Sequence, residues 1–229
     1  MQAKMSTITF VSKLLPSEMA LKLQIYTKIL RLEPSRAIDS ELKYHPDIIC
    51  SQLQKSLYMC VDSIPSGINT VAVDCIKDGY PHDCVLNNLI TDRYVIAGKR
   101  TALAYKNADI GDREIIRVNQ GYVKCSVVSF GDRFITSDRS IAAKLMQLGY
   151  EVLSVDNDGI KLNGFSCGFI GGATAVIDNK LFVFGDITKH KAHDRITEFA
   201  LRSVDDIISL GDGDIYDYGG AVTADISDT

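Results

Sequence analysis

Three stretches of the chain share one alternation of apolar and polar positions. Val85–Thr101 (VLNNLITDRYVIAGKRT), Cys125–Ser140 (CSVVSFGDRFITSDRS) and Thr174–Thr188 (TAVIDNKLFVFGDIT) each read as an apolar strand, a tight polar turn and a second apolar strand. The turns fall at Asp92-Arg93, Gly131-Asp132-Arg133 and Asp178-Asn179-Lys180. Each second strand runs into a polar stop, at Gly98-Lys99, Ser137-Asp138 or Gly185-Asp186. Arg93 lies 40 residues before Arg133, which lies 47 before Lys180. A recurrence at about 20–50 residues is the mark of a repeat architecture.

The segments after the hairpins extend the repeat. Asp138 is placed to cap a helix running through Leu148, with Ile141, Leu145 and Leu148 as its buried stripe and Gly149 to end it. A strand comes next at Tyr150–Val155. After the third hairpin the pattern predicts a helix over His193–Arg202, with Ile196, Phe199 and Ala200 inward, and a strand at Ile207–Leu210. The first hairpin leads into a poorly patterned link, Thr101–Arg113, that predicts no more than a turn before a strand at Ile115–Val118. Two weaker units precede these. One has a strand at Thr7–Ser12, a helix at Ser17–Tyr26 capped by Ser17, and a strand at Lys28–Leu32; the other is a hairpin of Ile48–Leu53 and Leu57–Val61 turning at Gln54-Lys55, with an irregular segment up to Tyr80.

The fold expected is α/β (α+β): five strand–strand–helix–strand units at 85–118, 125–155, 174–210, 5–32 and 48–80 in a single domain over residues 1–229. Units that each expose an apolar face must stack or close on one another to bury it, and closure of the five around an axis is the arrangement expected.

Composition narrows the function classes. A hydrophobic content of 46% with 24% charged residues is that of a globular chain. A net charge of −4 without a basic stripe gives no reason to expect nucleic acid. No apolar stretch is long enough to span a bilayer, and residues 1–15 lack the apolar core of a signal peptide. The cysteines (Cys50, Cys60, Cys75, Cys84, Cys125 and Cys167) form no CxxC pair. A reduced, cytoplasmic protein is expected, without cofactor, metal or membrane partner and with a small-molecule ligand; the oligomeric state is left open.

Several segments together, in this order, resemble the pentein superfamily of guanidino-group modifying enzymes, and within it an uncharacterised bacterial family of unknown function. They are HPD (His45–Asp47), QGYVKCS (Gln120–Ser126), ITSD (Ile135–Asp138), GFIGGA (Gly168–Ala173), a Gly185-Asp186 pair followed by His190, and DYGG (Asp217–Gly220). Gly171–Asp186 is similar to the hairpin that follows Gly-Gly in those enzymes. The resemblance implies a pentein-like α/β-propeller of five ββαβ units around a pseudo-fivefold axis, and a hydrolase or amidinotransferase acting on a guanidino or amidino compound. Two departures stand out. The enzymes carry their nucleophilic cysteine near the C-terminus, where this chain has none after Cys167, and the acidic residue that follows Gly-Gly in many of them is Ala173 here. A non-catalytic binding or assembly module with the same fold is therefore the alternative.

The residues admit two readings at each candidate position. Cys125 follows Lys124, whose charge could favour a nucleophilic thiolate, or it is an apolar strand residue facing the core. His45, stiffened by Pro46, is placed in a loop as a general acid–base beside Asp47, or the tripeptide is a turn in which Asp47 caps backbone and His45 is solvated. Cys125, His45 and Asp47 form the candidate catalytic set. Asp138 and Asp186 end corresponding strands, either as caps or, with Asp47, as holders of a cationic guanidinium. Asn87, Lys99 and Gln120 sit near comparable strand ends, and His190 follows Asp186; all are candidate ligand contacts or solvated polar residues. Gly171 and Gly172 allow close backbone approach, to a ligand or to a neighbouring strand. His190 and His193 lack a third partner for a metal.

Overall fold

The computed structural model describes residues 6–54, 56–65, 68, 70–74, 76–99 and 110–226. The chain is a mixed α/β structure of small sheets. In order it forms β1 (Ser6–Ser12), α1 (Ser17–Gln24), β2 (Lys28–Leu32), α2 (Pro46–Ile49), β3 (Cys50–Leu53), β4 (Ser56–Cys60), β5 (Val71–Val73), β6 (Asn88–Ile90), β7 (Tyr94–Ala97) and β8 (Glu114–Arg117). Beyond these lie α3 (Val123–Ser126), β9 (Val127–Phe130), β10 (Arg133–Thr136), α4 (Arg139–Gln147), β11 (Glu151–Ser154), β12 (Ile160–Lys161), β13 (Thr174–Ile177), β14 (Lys180–Val183), α5 (His193–Ala200), β15 (Asp206–Ser209), β16 (Ile215–Tyr216) and β17 (Val222–Ile226).

Five three-stranded sheets have one connectivity among the described residues: β3-β4-β5, β6-β7-β8, β9-β10-β11, β13-β14-β15 and β17-β1-β2. In each, the first strand pairs antiparallel with the middle one, which pairs parallel with the third. A parallel return needs a crossover, and α1, α4 and α5 provide it in three of the sheets. The sheet containing β1 takes its first strand from β17, with Thr9 opposite Thr223. The short strands β12 and β16 pair separately.

The apolar periodicities predicted these elements because burial follows them. Ile141 and Leu145 are fully buried between α4 and its sheet, in a cluster with Phe134 and Tyr150, while Leu148 is partly buried. Ile196, Phe199 and Ala200 face Leu181 and Val183 in the same way. Asp138 caps α4, its Oδ1 accepting from the N–H groups of Ser140 and Ile141 at 2.8 Å each. Asp186 does the same at the equivalent place, accepting from Thr188 N at 2.9 Å. The third hairpin turns through Asp178 and Asn179, both with positive φ, a conformation that Asn and Asp tolerate better than most residues.

Several expectations need correction. Pro16, not Ser17, occupies the cap position of α1, without a side-chain bond. Ile48 and Ile49 lie in the single turn α2, Cys125 in the single turn α3, and Val85 and Leu86 in a turn before β6; an apolar run of four residues has the same pattern in a strand and in a buried turn. β5 lies in the stretch expected to be irregular, and β17 completes a unit that its own sequence left without a hairpin. Cys75, the Lys55 side of the first turn and residues 100–109 of the link after β7 lie outside the described residues. Arg133 is not a free turn residue. Its guanidinium lies 4.1 Å from the ring centre of Phe199 and donates to Phe199 O at 2.9 Å, Ser203 Oγ at 2.6 Å and Glu151 Oε2 at 2.9 Å. Among the described residues, no helix is long and apolar enough to cross a membrane.

Urea denaturation should show Leu145→Ala losing about 2–5 kcal/mol, because the cavity left in a closed core cannot collapse fully. Arg133→Ala should lose about 1–2 kcal/mol, through the lost cation–π contact and the bonds to Phe199 O and Ser203 Oγ, against about 0.5 kcal/mol for Arg93→Ala, whose 5.2 Å contact with the Tyr94 ring lies at an exposed turn. Equal losses at the two arginines would remove the clamping role given to Arg133.

Candidate functional site

The segments that lead into the first strands of the five sheets meet one another. Asp47 precedes β3, Asn87 precedes β6, Cys125 precedes β9, Gly172 precedes β13 and Gly219-Gly220 precede β17. Hydrogen bonds join each to the next. Asn87 Nδ2 donates to Asp47 O at 2.9 Å, and Asn87 Oδ1 accepts from Lys124 N at 2.7 Å. Gly172 N donates to Cys125 O at 3.0 Å, Gly220 N to Gly172 O at 2.6 Å, and Asp47 N to Gly219 O at 3.2 Å, which returns the series of bonds to its start. In this circuit the Asn87 carboxamide does with a side chain what peptide groups do elsewhere.

The turns themselves repeat. Cys50 Sγ, Ser126 Oγ and Thr174 Oγ1 each donate to the carbonyl four residues back, those of Pro46, Tyr122 and Ile170. The Pro46 and Tyr122 carbonyls also accept the backbone N–H of the same residue, Cys50 and Ser126 respectively, so there the short polar side chain at the turn's end adds a second bond to a carbonyl with two lone pairs.

At the centre of the circuit Cys125, His45, Asp47, Asn87 and Asp217 are all buried, none more than 3% exposed. Cys125 Sγ donates to Asp47 Oδ2 at 3.0 Å and accepts from Asn87 Nδ2 at 3.0 Å. Asp217 Oδ2 accepts from Phe169 N at 2.8 Å and its Oδ1 from Gly219 N at 2.9 Å. His45 Nδ1 lies 3.7 Å from Asp217 Oδ1, beyond hydrogen-bond reach, and neither it nor Asp47 Oδ1 has a hydrogen-bond partner. His45 keeps the extended backbone that Pro46 imposes, at φ −84° and ψ 115°.

The glycines are the packing condition of this cluster. A Cβ on Gly168 or Gly172 would overlap Asp217, and one on Gly219 would overlap His45. A Cβ on Gly171 would overlap the carbonyls of Lys124, Cys125 and Val127. Gly219 and Gly220 also have positive φ, at 77° and 61°. Only glycine lets these backbones come this close.

Burial governs the ionisation of the group. It raises the Asp47 carboxyl to about 8, with the neighbouring Asp217 adding to the shift. Burial raises Asp217 as well, against His45 and two peptide N–H donors that favour its anion. Burial lowers His45, the opposing field of Asp217 notwithstanding, so its imidazole is neutral. The Cys125 thiol is pushed well above its ordinary value by burial, then by Asp47 and Asp217. The lysine beside Cys125 in sequence does not produce a thiolate.

The other candidates are elsewhere. Asp138 and Asp186 are committed to their caps, and Gln120 joins the first of them, donating to Asp138 Oδ2 at 3.2 Å. Neither carboxylate touches the Cys125 cluster. Lys99 is exposed beyond the end of β7. His190 is a buried structural histidine: its Nδ1 accepts from Ala192 N and its Nε2 faces Asp156 O, each at 3.0 Å. Gly171 and Gly172 belong to the cluster through their backbone. Asp217 and Gly219 are its members that residue-level reading did not single out. The available signal was a carboxylate shortly before the Gly-Gly of DYGG. Among the described residues no group of three His, Cys, Asp or Glu side chains is set to hold a metal ion.

Residues 10–222 match the family of unknown function DUF6873, and the chain belongs to that family. No curated protein matches it.

Because the Asp47 carboxyl is raised in the folded state, the folded protein holds a proton that the unfolded chain releases. Stability from this group is therefore greatest below its unfolded value and falls as pH rises from about 4 to about 8. Asp47→Asn should remove that fall, so the stability difference between variant and wild type should grow in favour of the variant across the window. Urea midpoints at pH 5, 6, 7 and 8 measure it, and a constant difference would place Asp47 outside the buried cluster.

Proposed function

We propose that the five sheets close around a pseudo-fivefold axis as a single pentein-like α/β-propeller, and that the Cys125 cluster carries out thiol chemistry on a small guanidino or amidino compound. The common connectivity of the sheets, the circuit of bonds at their entries and the pairing of β17 with β1 support the ring. The membership of residues from HPD and DYGG in one cluster supports the resemblance to the guanidino-modifying enzymes.

One observation carries the activity: two carboxyls, Asp47 and Asp217, are buried beside a thiol without a buried lysine or arginine among the described residues. Burying a carboxylate without a cation costs several kcal/mol, and a planar guanidinium, with donors arranged to meet carboxylates, meets that need. Its bound charge would favour the anion of Asp47, which then accepts the Cys125 proton. Sγ adds to the central carbon of the guanidinium, and the carbon–nitrogen bond breaks as the amine departs with the proton, carried by His45. Water adds to the resulting thiouronium carbon, the sulfur–carbon bond breaks, and the thiol and a ureido product are released. An amine in place of that water gives amidino transfer.

A second reading is favoured by the exposure of Cys125, 3%, and by a thiol held in its neutral form. In it the cluster is a structural plug, and the protein is a non-catalytic binding or assembly module.

Incubation with arginine, agmatine and guanidinoacetate, followed by assay of ammonia and ureido product, separates the two. The first reading expects turnover that Cys125→Ser abolishes, with guanidinium compounds altering the alkylation rate of Cys125 read by site-resolved mass spectrometry. Absence of product from all three compounds, together with a Cys125 alkylation rate they leave unchanged, would overturn it.

A further inference from the structure

We infer that the cavity shared by the first strands of the five sheets is a binding site for a small oxyanion, with Lys124 as its cationic partner. The cavity measures about 310 Å³ and is lined by residues of β3, β6, β9, β13 and β17 together with Lys124, Gly171 and Ala221. A space bounded by all five three-stranded sheets is a product of the whole architecture. It lies next to the hydrogen-bond circuit along the strands, since its walls begin at Ser51, Asn88, Val127, Thr174 and Ala221, shortly after the circuit's residues.

Its chemistry is one-sided. Lys124 is the single charged residue in the lining, is half-buried, and makes no ion pair among the described residues. No carboxylate lines the cavity. Lys124 acts through its field on Asp47, whose Oδ2 accepts from the Cys125 thiol. Hydroxyl and amide side chains of Ser51, Asn88, Ser129 and Thr223 provide polar walls. Each of β3, β6, β9, β13 and β17 also pairs with one neighbour only, so each carries a second backbone edge outside its sheet, and such edges present peptide N–H groups as donors. An isolated half-buried cation among neutral polar groups, with no carboxylate in the lining, is the complement of an oxyanion.

Size limits the ligand. Pockets for small molecules occupy roughly 300–1,000 Å³, and this one is at the lower end. With a single cation it suits a carboxylate or a phosphate group on a small body and is too small and too weakly charged for a nucleoside triphosphate. Oxyanion binding in this cavity is independent of whether Cys125 acts as a nucleophile.

Isothermal titration calorimetry with inorganic phosphate in one arm and succinate in the other tests it and distinguishes the two sources of oxyanion. Saturable binding of one of them to the wild type is expected. Lys124→Gln should weaken it roughly ten- to a hundredfold, the loss of one charge-assisted bond, while Lys124→Arg should largely retain it. Ser129→Leu, which fills the cavity and leaves the charge in place, should weaken it as well and guards against a Lys124 variant that fails to fold. Absence of saturable binding in both arms, or binding unchanged in both Lys124→Gln and Ser129→Leu, would overturn the inference.

Discussion

The structure depends on satisfying polar groups where five chain segments converge out of reach of water. Buried peptide groups without partners cost about 1–3 kcal/mol each, and each first strand has only one neighbour in its own sheet. The segments solve this by bonding to one another at their entries, from Asp47 to Asn87, Lys124-Cys125, Gly172, Gly219-Gly220 and back. That solution dictates the residues. Gly171 and Gly172 are required where backbones approach side chains and carbonyls too closely for a Cβ, and Asn87 is required because a carboxamide alone offers a donor and an acceptor in the geometry of a peptide.

The same closeness sets the electrostatics. A cluster drawn tight enough to bond five segments is withdrawn from bulk solvent, so its carboxyls and thiol are held towards their neutral forms. Neutrality is what keeps the cluster stable without a cation, and it is also what a bound cation would reverse. In the proposed reading, stability and reactivity are therefore two settings of one group of side chains, selected by whether a positive charge is present. Lys124 is beside this group in sequence and lines the cavity, and its field reaches Asp47, but burial dominates the Cys125 thiol and keeps it neutral.

The repeat was legible because the alternation in the hairpins and the helical stripes of Ile141, Leu145 and Ile196, Phe199 reflect burial directly. The short turns α2 and α3 were not, because Ile48, Ile49, Val123 and Cys125 are as apolar in a buried turn as in a strand. Their equivalence is carried by Cys50, Ser126 and Thr174, three different residue types making one bond, which no comparison of residue identity detects. For the site, the motifs HPD and VKC mark members that do converge, whereas Asp138 and Asp186 share only a position at strand ends and spend their oxygens on helix caps. Asp217 stayed unread because its role depends on a partner, His45, more than 170 residues earlier in the chain.

Pairing β17 with β1 joins positions more than 200 residues apart, Thr9 beside Thr223. On the ribosome, β1 emerges before β2 and can pair with it at once, but its other edge stays open until β17, more than 200 residues later, has been translated. Contacts of such long separation are slow to form, and an open strand edge is a template for pairing with another chain. During synthesis, then, the free edge of β1 is a surface to be protected from other chains for as long as it takes to make the residues between it and β17.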